Sequence, residues 1–175
     1  MKQSVILIGA PGSGKSVTGR VLADRLSWLL VDTDAEVVAK TKLPISDIFA
    51  SFGEEYFRNL ETKVILDLVE QSPQRSLVVS CGGGLAVREQ NYRLLESLGT
   101  IVCLAAEVHV LAKRIGTGAA RPLLHGESAA KVVPQLLDLL SQRAPTYNRP
   151  RYRIDTTDLT PQEACEQIIS LLGLV

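Results

Sequence analysis

The chain has 175 residues, of which 46% are hydrophobic, a composition typical of one globular domain with a substantial core. Its 19 basic residues balance its 19 acidic ones, which excludes a general electrostatic attraction to nucleic acid or to membrane surfaces. Three widely spaced cysteines without a Cys-x-x-Cys pair argue against a disulfide framework or a zinc site, and they indicate a reducing, cytoplasmic location.

Strand-like and helix-like segments alternate along the chain. Residues 5–8 form a short apolar run typical of a buried strand, and apolar residues from Val17 to Leu26 then repeat at helical spacing. The first half continues with a strand over 28–31, a short helix over 34–40 with Asp34 as its candidate N-cap, and helical pieces over 45–52 and 54–70 that Gly53 separates.

The second half of the chain continues the alternation. Its predicted elements are a strand over 77–80, a helix over 89–98 ended by Gly99, a strand over 100–105, helices over 108–115 and 129–143, a strand over 152–155 and a helix over 160–172 opened by Thr160 and Pro161. Strands separated by helices predict a three-layer α/β/α sandwich with a five-stranded parallel sheet. Residues 116–128 contain glycines and no periodicity, which predicts a mobile loop.

A phosphate-binding loop is the strongest motif of the chain. Residues 9–16 read GAPGSGKS and match G-x-x-x-x-G-K-[ST] between a predicted strand and a predicted helix. The glycines let backbone N–H groups face an anion, and the helix dipole adds to the attraction. We expect Lys15 to reach the β- and γ-phosphates and the Ser16 hydroxyl to bind Mg²⁺. The loop predicts a nucleoside triphosphate, and it leaves the fate of the phosphate open.

Two carboxylates, Asp32 and Asp34, directly follow the second predicted strand. In an extended segment, residues two apart point the same way, so both could face the bound phosphates. One could hold Mg²⁺ through water, and the other could accept a proton from an attacking hydroxyl. The alternative is that both are solvated turn and capping residues.

Arg58 precedes Glu61 by one helical turn. The pair is either a surface ion pair or an arrangement in which Glu61 orients the guanidinium of Arg58 toward a substrate carboxylate. A triple glycine follows the third strand, and its cost in conformational entropy favours close approach of the backbone to a ligand over a simple tight turn. The glycines are Gly82, Gly83 and Gly84.

Three further arginines are candidates for binding anions. Arg121 lies in the predicted mobile loop, where a closing arginine could neutralise charge on a transferring phosphoryl group, although it could also be a solvated loop residue. Arg114 precedes that loop. Arg143 is near the end of a predicted helix and could bind a ligand or the helix dipole.

Together these motifs resemble the shikimate kinase family over nearly the whole chain. The resemblance implies a P-loop kinase fold in a single domain, residues 1–175, with a lid over about 112–128. It also implies transfer of the ATP γ-phosphoryl group to the 3-hydroxyl of shikimate, giving shikimate 3-phosphate and ADP in aromatic amino-acid biosynthesis. The matching pieces are residues 9–16, Asp32 to Asp34, Gly53-Glu54, Phe57-Arg58 with Glu61, the triple glycine, residues 121–124, and Arg143 with Tyr147.

The resemblance further implies a role for each site residue. Asp34 would contact the hydroxyls of shikimate and act as the base, while Arg58 and Arg143 would hold its carboxylate and Glu61 would support Arg58. The catalytic residues would be Lys15, Asp34 and Arg121; the shikimate site would add Gly82, Gly83 and Gly84; the nucleotide would contact Gly12, Ser13, Gly14, Lys15, Ser16, Val17, Arg114 and Arg121; and Mg²⁺ would be held by Ser16 and, through water, by Asp32.

Two alternatives stay open. A related small-molecule kinase, such as a gluconate kinase, would share the loop and lid but would have less reason for two carboxylate-binding arginines and a triple glycine. A degenerate ATP-binding module is disfavoured because Lys15, Asp34 and Arg121 are all present. Arg149 and Arg151 depart from the family pattern, which leaves the adenine contacts open. We expect a monomer without a leader peptide, a membrane span or a nucleic-acid partner.

Overall fold

The computed structural model describes residues 3–71, 75–116 and 129–174. Its elements, in chain order, are β1 (Ser4–Ile8), α1 (Lys15–Leu26), β2 (Leu29–Asp32), α2 (Thr33–Thr41), α3 (Ile45–Gln71), β3 (Leu77–Ser80), a 3-10 helix (Leu85–Val87), α4 (Glu89–Leu98), β4 (Thr100–Ala105), α5 (Val108–Gly116), α6 (Ala129–Tyr147), β5 (Tyr152–Asp155) and α7 (Pro161–Leu172).

The five strands form one parallel sheet in the order β2-β3-β1-β4-β5. Alternate residues of β1 pack into two cores: Ile6 and Ile8 into the larger one, and Val5 and Leu7 into a second one on the other face. Because a strand directs successive side chains to opposite faces, helices cover both sides of the sheet. The predicted three-layer α/β/α architecture is confirmed.

The strand order places the phosphate-binding loop at the centre of the sheet. β1 has β3 on one side and β4 on the other, so the chain leaves β1 where the order of connections changes direction. Ligands of such sheets bind beyond the carboxyl ends of the strands at this point. Asp32 ends β2 and Ser80 ends β3, so both lie at this carboxyl end of the sheet.

The start of α2 differs from the prediction. Asp32, not Asp34, is the N-cap: its carboxylate accepts hydrogen bonds from the N–H groups of Asp34 at 3.1 Å and Ala35 at 3.3 Å. Asp34 lies in the first helical turn, so the argument from an extended segment is wrong. The two carboxylates have different contacts: that of Asp32 caps α2 and accepts from Ser16, whereas that of Asp34 lies against Gly82.

Several other boundaries are informative. Gly53 interrupts α3 with φ 80° and ψ 173°, as predicted. Gly99 has an extended backbone at φ 170°, and glycine is needed there because a Cβ atom would overlap the carbonyl of Ser4. α6 continues past Pro145 to Tyr147, beyond the predicted end at Arg143, and buries the Tyr147 ring.

Residues 117–128 are not described, so Arg121 and most of the predicted lid lie outside the described residues; residues 112–116 of the predicted lid form the end of α5. The assignment of the chain to a single domain with a lid over about 112–128 therefore stays a prediction. Among the helices of the described ranges, none combines the length and the hydropathy needed to span a membrane.

Candidate active site

The phosphate-binding loop folds around the Lys15 ammonium group. α1 begins at Lys15, and Gly14 caps it with φ 93°, a left-handed conformation that favours glycine. Lys15 is buried, and its Nζ atom donates to the carbonyl oxygens of Gly9 at 2.9 Å and Ala10 at 2.8 Å. The loop thus holds a cation beside the free N-terminal end of a helix, an arrangement that suits a phosphate.

Ser16 and Asp32 form the oxygen-rich side of the loop. The Ser16 hydroxyl donates to Asp32 Oδ2 at 2.9 Å and lies 3.3 Å from the Ser80 hydroxyl. The other oxygen of Asp32 caps α2, so both oxygens have fixed directions. A hydroxyl and a carboxylate are hard oxygen donors of the kind that Mg²⁺ prefers.

A cavity of about 400 Å³ adjoins the loop. Arg114 forms one wall, where its guanidinium donates to the Thr156 hydroxyl at 3.1 Å and to the Thr156 carbonyl at 2.7 Å. Pro161, which opens α7, forms another part of the lining. All the predicted nucleotide residues except the undescribed Arg121 line this cavity: Gly12, Ser13, Gly14, Lys15, Ser16, Val17 and Arg114.

Arg58 and Glu61 form a buried ion pair on α3. The Arg58 guanidinium donates to Glu61 Oε2 at 2.8 Å and to Glu54 Oε1 at 2.9 Å. Burial lowers the pKa of Arg58, but the two carboxylates outweigh it and raise that pKa above its ordinary value. The surface-pair alternative is wrong, because Glu61 is only 1% exposed.

The carboxyl of Glu61 has a strongly raised pKa. Burial, with a smaller contribution from the nearby Asp34 carboxylate, raises this pKa to about 7 in spite of the Arg58 guanidinium. Its Oε1 atom has no hydrogen-bond partner. A buried oxygen without a hydrogen-bond partner lowers the stability of the fold. Other interactions must therefore offset the cost of Glu61.

The triple glycine brings the acidic and basic residues together. A Cβ atom on Gly82 would overlap the Asp34 carboxylate, and one on Gly84 would lie 2.7 Å from Arg58 Nη1. None of the three glycines has a positive φ, so turn geometry does not require them. Glycine is needed at 82 and 84 because the two charged side chains pack directly on the backbone.

The middle glycine joins this pocket to the phosphate-binding loop. The Cβ position of Gly83 would lie 3.4 Å from both Arg143 Nη1 and the Pro11 ring. Arg143 also lies 3.4 Å from the hydroxyl of Tyr147. Asp34, Arg58 and Arg143 therefore surround one short loop that touches the phosphate-binding loop.

Sequence reasoning missed the side chains that hold this site in place. The Thr33 hydroxyl accepts a hydrogen bond from Gly82 N–H at 2.8 Å. Asn91, fully buried, donates to the Leu85 carbonyl at 3.0 Å and accepts from the Thr62 hydroxyl at 2.8 Å. Thr33 could have been noticed between two acidic residues, whereas nothing in the local sequence distinguishes Asn91.

Comparison with known proteins supplies what the geometry leaves open. The family model described as "Shikimate kinase" matches residues 11–173. This chain belongs to the shikimate kinase family. It is an ATP-dependent kinase with the P-loop kinase fold, as the resemblance of its motifs implied.

Relatives within the shikimate kinase family cover almost the full chain. A shikimate kinase of Thermobifida fusca is 41% identical over 93% of this chain and 91% of its own. One of Thermodesulfovibrio yellowstonii is 35% identical over 95% of this chain and 93% of its own. The structure of Acinetobacter baumannii shikimate kinase in complex with shikimate superposes with a TM-score of 0.90, at 32% identity, covering 99% of this chain and 94% of that one.

Proposed function

We propose that this kinase transfers the γ-phosphoryl group of ATP to the 3-hydroxyl of shikimate, giving ADP and shikimate 3-phosphate. The observation that carries the proposal is the arrangement of Asp34, Arg58 and Arg143 around the triple glycine, in contact with the phosphate-binding loop through Pro11. Two arginines and one carboxylate suit a ligand with a carboxylate at one end and hydroxyls at the other.

In this proposal the residues around the triple glycine bind shikimate. Arg58 and Arg143 bind the shikimate carboxylate, and Glu61 orients Arg58 through the 2.8 Å ion pair. Asp34 binds the hydroxyls and accepts the proton of the attacking one. Gly82, Gly83 and Gly84 bring backbone groups close to the ligand, because they carry no side chains.

The phosphate side is assigned to the loop and its neighbours. Lys15 stabilises charge on the transferred phosphoryl group, after leaving the carbonyls of Gly9 and Ala10. The nucleotide occupies the cavity between the loop and Arg114. Arg121, from the segment outside the described residues, keeps its predicted role beside the transferred phosphoryl group.

Ser16 and Asp32 would hold Mg²⁺, Ser16 directly and Asp32 through water. In the described part of the chain no group of three or more His, Cys, Asp or Glu side chains could hold a metal by itself, so phosphate oxygens and water would complete the coordination. Mg²⁺ held there would supply positive charge to neutralise the phosphate oxygens.

We further propose a monomeric, cytoplasmic enzyme. All three cysteines are free and buried, which supports a reducing compartment.

A coupled ADP-release assay with shikimate, quinate and gluconate tests the substrate assignment. We expect Mg²⁺-dependent turnover with shikimate. Turnover with gluconate but not shikimate would support a gluconate kinase instead, and no turnover with any acceptor would support a binding module.

The role of Arg58 is tested in the same assay. Arg58→Ala is expected to raise the KM for shikimate at least tenfold, the size of losing a charge-assisted hydrogen bond. Arg93→Ala is the matched control, because Arg93 also pairs with a glutamate four residues away but is exposed. An unchanged KM in Arg58→Ala would remove the assigned role.

A further inference from the structure

The carbonyl of Gly83 is held by a side chain from a distant part of the chain. Tyr147, in the last turn of α6, donates its hydroxyl hydrogen to the Gly83 carbonyl oxygen at 2.6 Å. The tyrosine is only 6% exposed, so the packing of its ring fixes the position of the hydroxyl. A buried phenol paired in this way is a directed donor.

This bond matters because Gly83 C=O and Gly84 N–H belong to the same peptide group. A trans peptide is planar, and its C=O and N–H bonds point in opposite directions; the described chain has no cis peptide bonds. A carbonyl fixed on Tyr147 therefore turns the Gly84 N–H away from α6. Gly84 is also the residue that packs against the Arg58 guanidinium.

The orientation of the peptide between Gly83 and Gly84 depends on the Tyr147 side chain, whereas the orientation of the preceding peptide is set by a backbone hydrogen bond. The preceding carbonyl, that of Gly82, accepts a backbone hydrogen bond from Leu85 N–H at 3.1 Å. The Gly83 carbonyl has the Tyr147 hydroxyl instead. A peptide between two glycines rotates at low cost, because neither residue has a Cβ atom to restrict it.

We propose that Tyr147 is a positioning residue for the substrate: its hydroxyl sets the direction of the peptide between Gly83 and Gly84, so that Gly84 N–H faces an oxygen of the bound substrate. The inference deepens the proposed function and rests on it for the identity of that substrate. Without the hydroxyl, the peptide samples both directions, and substrate binding has to select one of them.

Arg143 offers a second route for an effect of Tyr147. Its Nη1 atom lies 3.4 Å from the same hydroxyl oxygen, so loss of the hydroxyl could also disturb a guanidinium in the site. The geometry favours the Gly83 route, because 2.6 Å is a short hydrogen bond and 3.4 Å is a long one.

Tyr147→Phe removes one oxygen and keeps the buried ring. We expect the KM for shikimate to rise about tenfold, the size of one buried hydrogen bond, with kcat and the KM for ATP changed less than about twofold. Tyr152→Phe is the matched control, because Tyr152 begins β5, the edge strand furthest from β2 and β3, and so lies at the end of the sheet away from the triple glycine. An unchanged KM for shikimate in Tyr147→Phe overturns the proposal.

The two routes are separated by making Tyr147→Phe in an Arg143→Ala background and comparing kcat/KM for shikimate. We expect the further loss to remain about tenfold, because the Gly83 route does not need Arg143. Disappearance of the loss in that background overturns the assignment to the peptide.

A measurement without turnover keeps the inference separate from the substrate assignment. In the ¹⁵N-labelled full chain, we expect the Gly84 amide signal to shift or broaden in Tyr147→Phe and to stay in place in Tyr152→Phe. An unmoved Gly84 signal overturns the role of Tyr147, whatever the substrate. A moved signal in a chain that does not phosphorylate shikimate supports that role and contradicts only the proposed function.

Discussion

The guanidinium of Arg58 lies directly on the backbone of Gly84, where a Cβ atom would come within 2.7 Å of Arg58 Nη1. The same Nη1 atom donates to Glu61 Oε2 at 2.8 Å. The missing side chain of Gly84 and the carboxylate of Glu61 thus fix the position of this guanidinium, which we propose binds the substrate.

Gly84→Ala is expected to displace Arg58 and raise the KM for shikimate about tenfold or more. The added methyl meets the end of the Arg58 side chain, so Arg58 moves aside; because this weakens its ion pair with the buried Glu61, we also expect a lower melting temperature. Gly83→Ala is the comparison, since its Cβ would make ordinary contacts at 3.4 Å, and we expect a smaller rise. Equal effects of the two substitutions on the KM would contradict the role of this contact.

Glu61 makes the stability of the fold depend on pH. Its pKa is about 7 in the folded chain against 4.5 as the ordinary value. A carboxyl whose pKa is raised by folding contributes stability that is present below 4.5 and lost as the pH rises through 7. Glutamine does not titrate, so we expect the free energy of unfolding of Glu61→Gln to rise by about 3 kcal/mol relative to that of the parent as the pH goes from 4.5 to 8.

Urea unfolding of both proteins across this pH range measures the difference. Glu70→Gln, an exposed position at the end of the same helix, is the control, with an expected change of about 0.5 kcal/mol or less. If the difference in free energy of unfolding between the parent and Glu61→Gln stays constant with pH, Glu61 does not titrate in this pH range. The same variant is expected to raise the KM for shikimate, because Arg58 loses a charged partner.

Lys15→Met is expected to lower kcat at least about a hundredfold, because a preorganised cation at the transferred group is lost. Lys40→Met is the control: Lys40 forms an exposed ion pair with Asp67, and its loss should leave kcat within about twofold. Single-turnover measurements with saturating ATP separate the chemical step from binding. Near-normal turnover in Lys15→Met would remove the lysine from the mechanism.

Asp32→Asn removes the negative charge at position 32 but keeps a residue that can cap α2. Asparagine is as good an N-cap as aspartate, so α2 and the melting temperature should be preserved. The Mg²⁺ concentration for half-maximal rate is expected to rise about tenfold, because a neutral amide attracts the hydrated ion less strongly. A titration of activity with Mg²⁺ gives this value, and an unchanged midpoint would contradict the metal role.

Asn91→Leu is expected to destabilise the fold by about 1–3 kcal/mol, because the Leu85 carbonyl loses its buried side-chain donor and the Thr62 hydroxyl keeps only the Arg58 carbonyl as acceptor. Gln90→Leu, at the exposed neighbouring position, is the control. Urea midpoints measure both changes. Similar midpoints for parent and Asn91→Leu would mean that the two groups find other partners.

Local patterns predicted most of the secondary structure. The predicted bounds are correct for β3, β4, β5 and α4. The signals that set these bounds, apolar periodicity and residues such as glycine that end an element, lie within a few positions of one another in the sequence. The start of α2 was wrong for the same reason: Asp32 and Asp34 are both acceptable N-caps, and only the packed chain shows which carboxylate meets the free N–H groups. α6 was predicted too short because burial of Tyr147 outweighs the local effect of Pro145.

By itself the sequence determined the order of the elements, the phosphate-binding loop and the charged residues available for a site, because each of these is a pattern of neighbouring residues. Only the tertiary structure decided that Asp34 packs on Gly82, Arg58 on Gly84 and the Tyr147 hydroxyl on the Gly83 carbonyl. These contacts join α2, α3 and α6 to the loop after β3. They depend on the order of strands in the sheet and on the faces its helices bury, which no short stretch of sequence specifies.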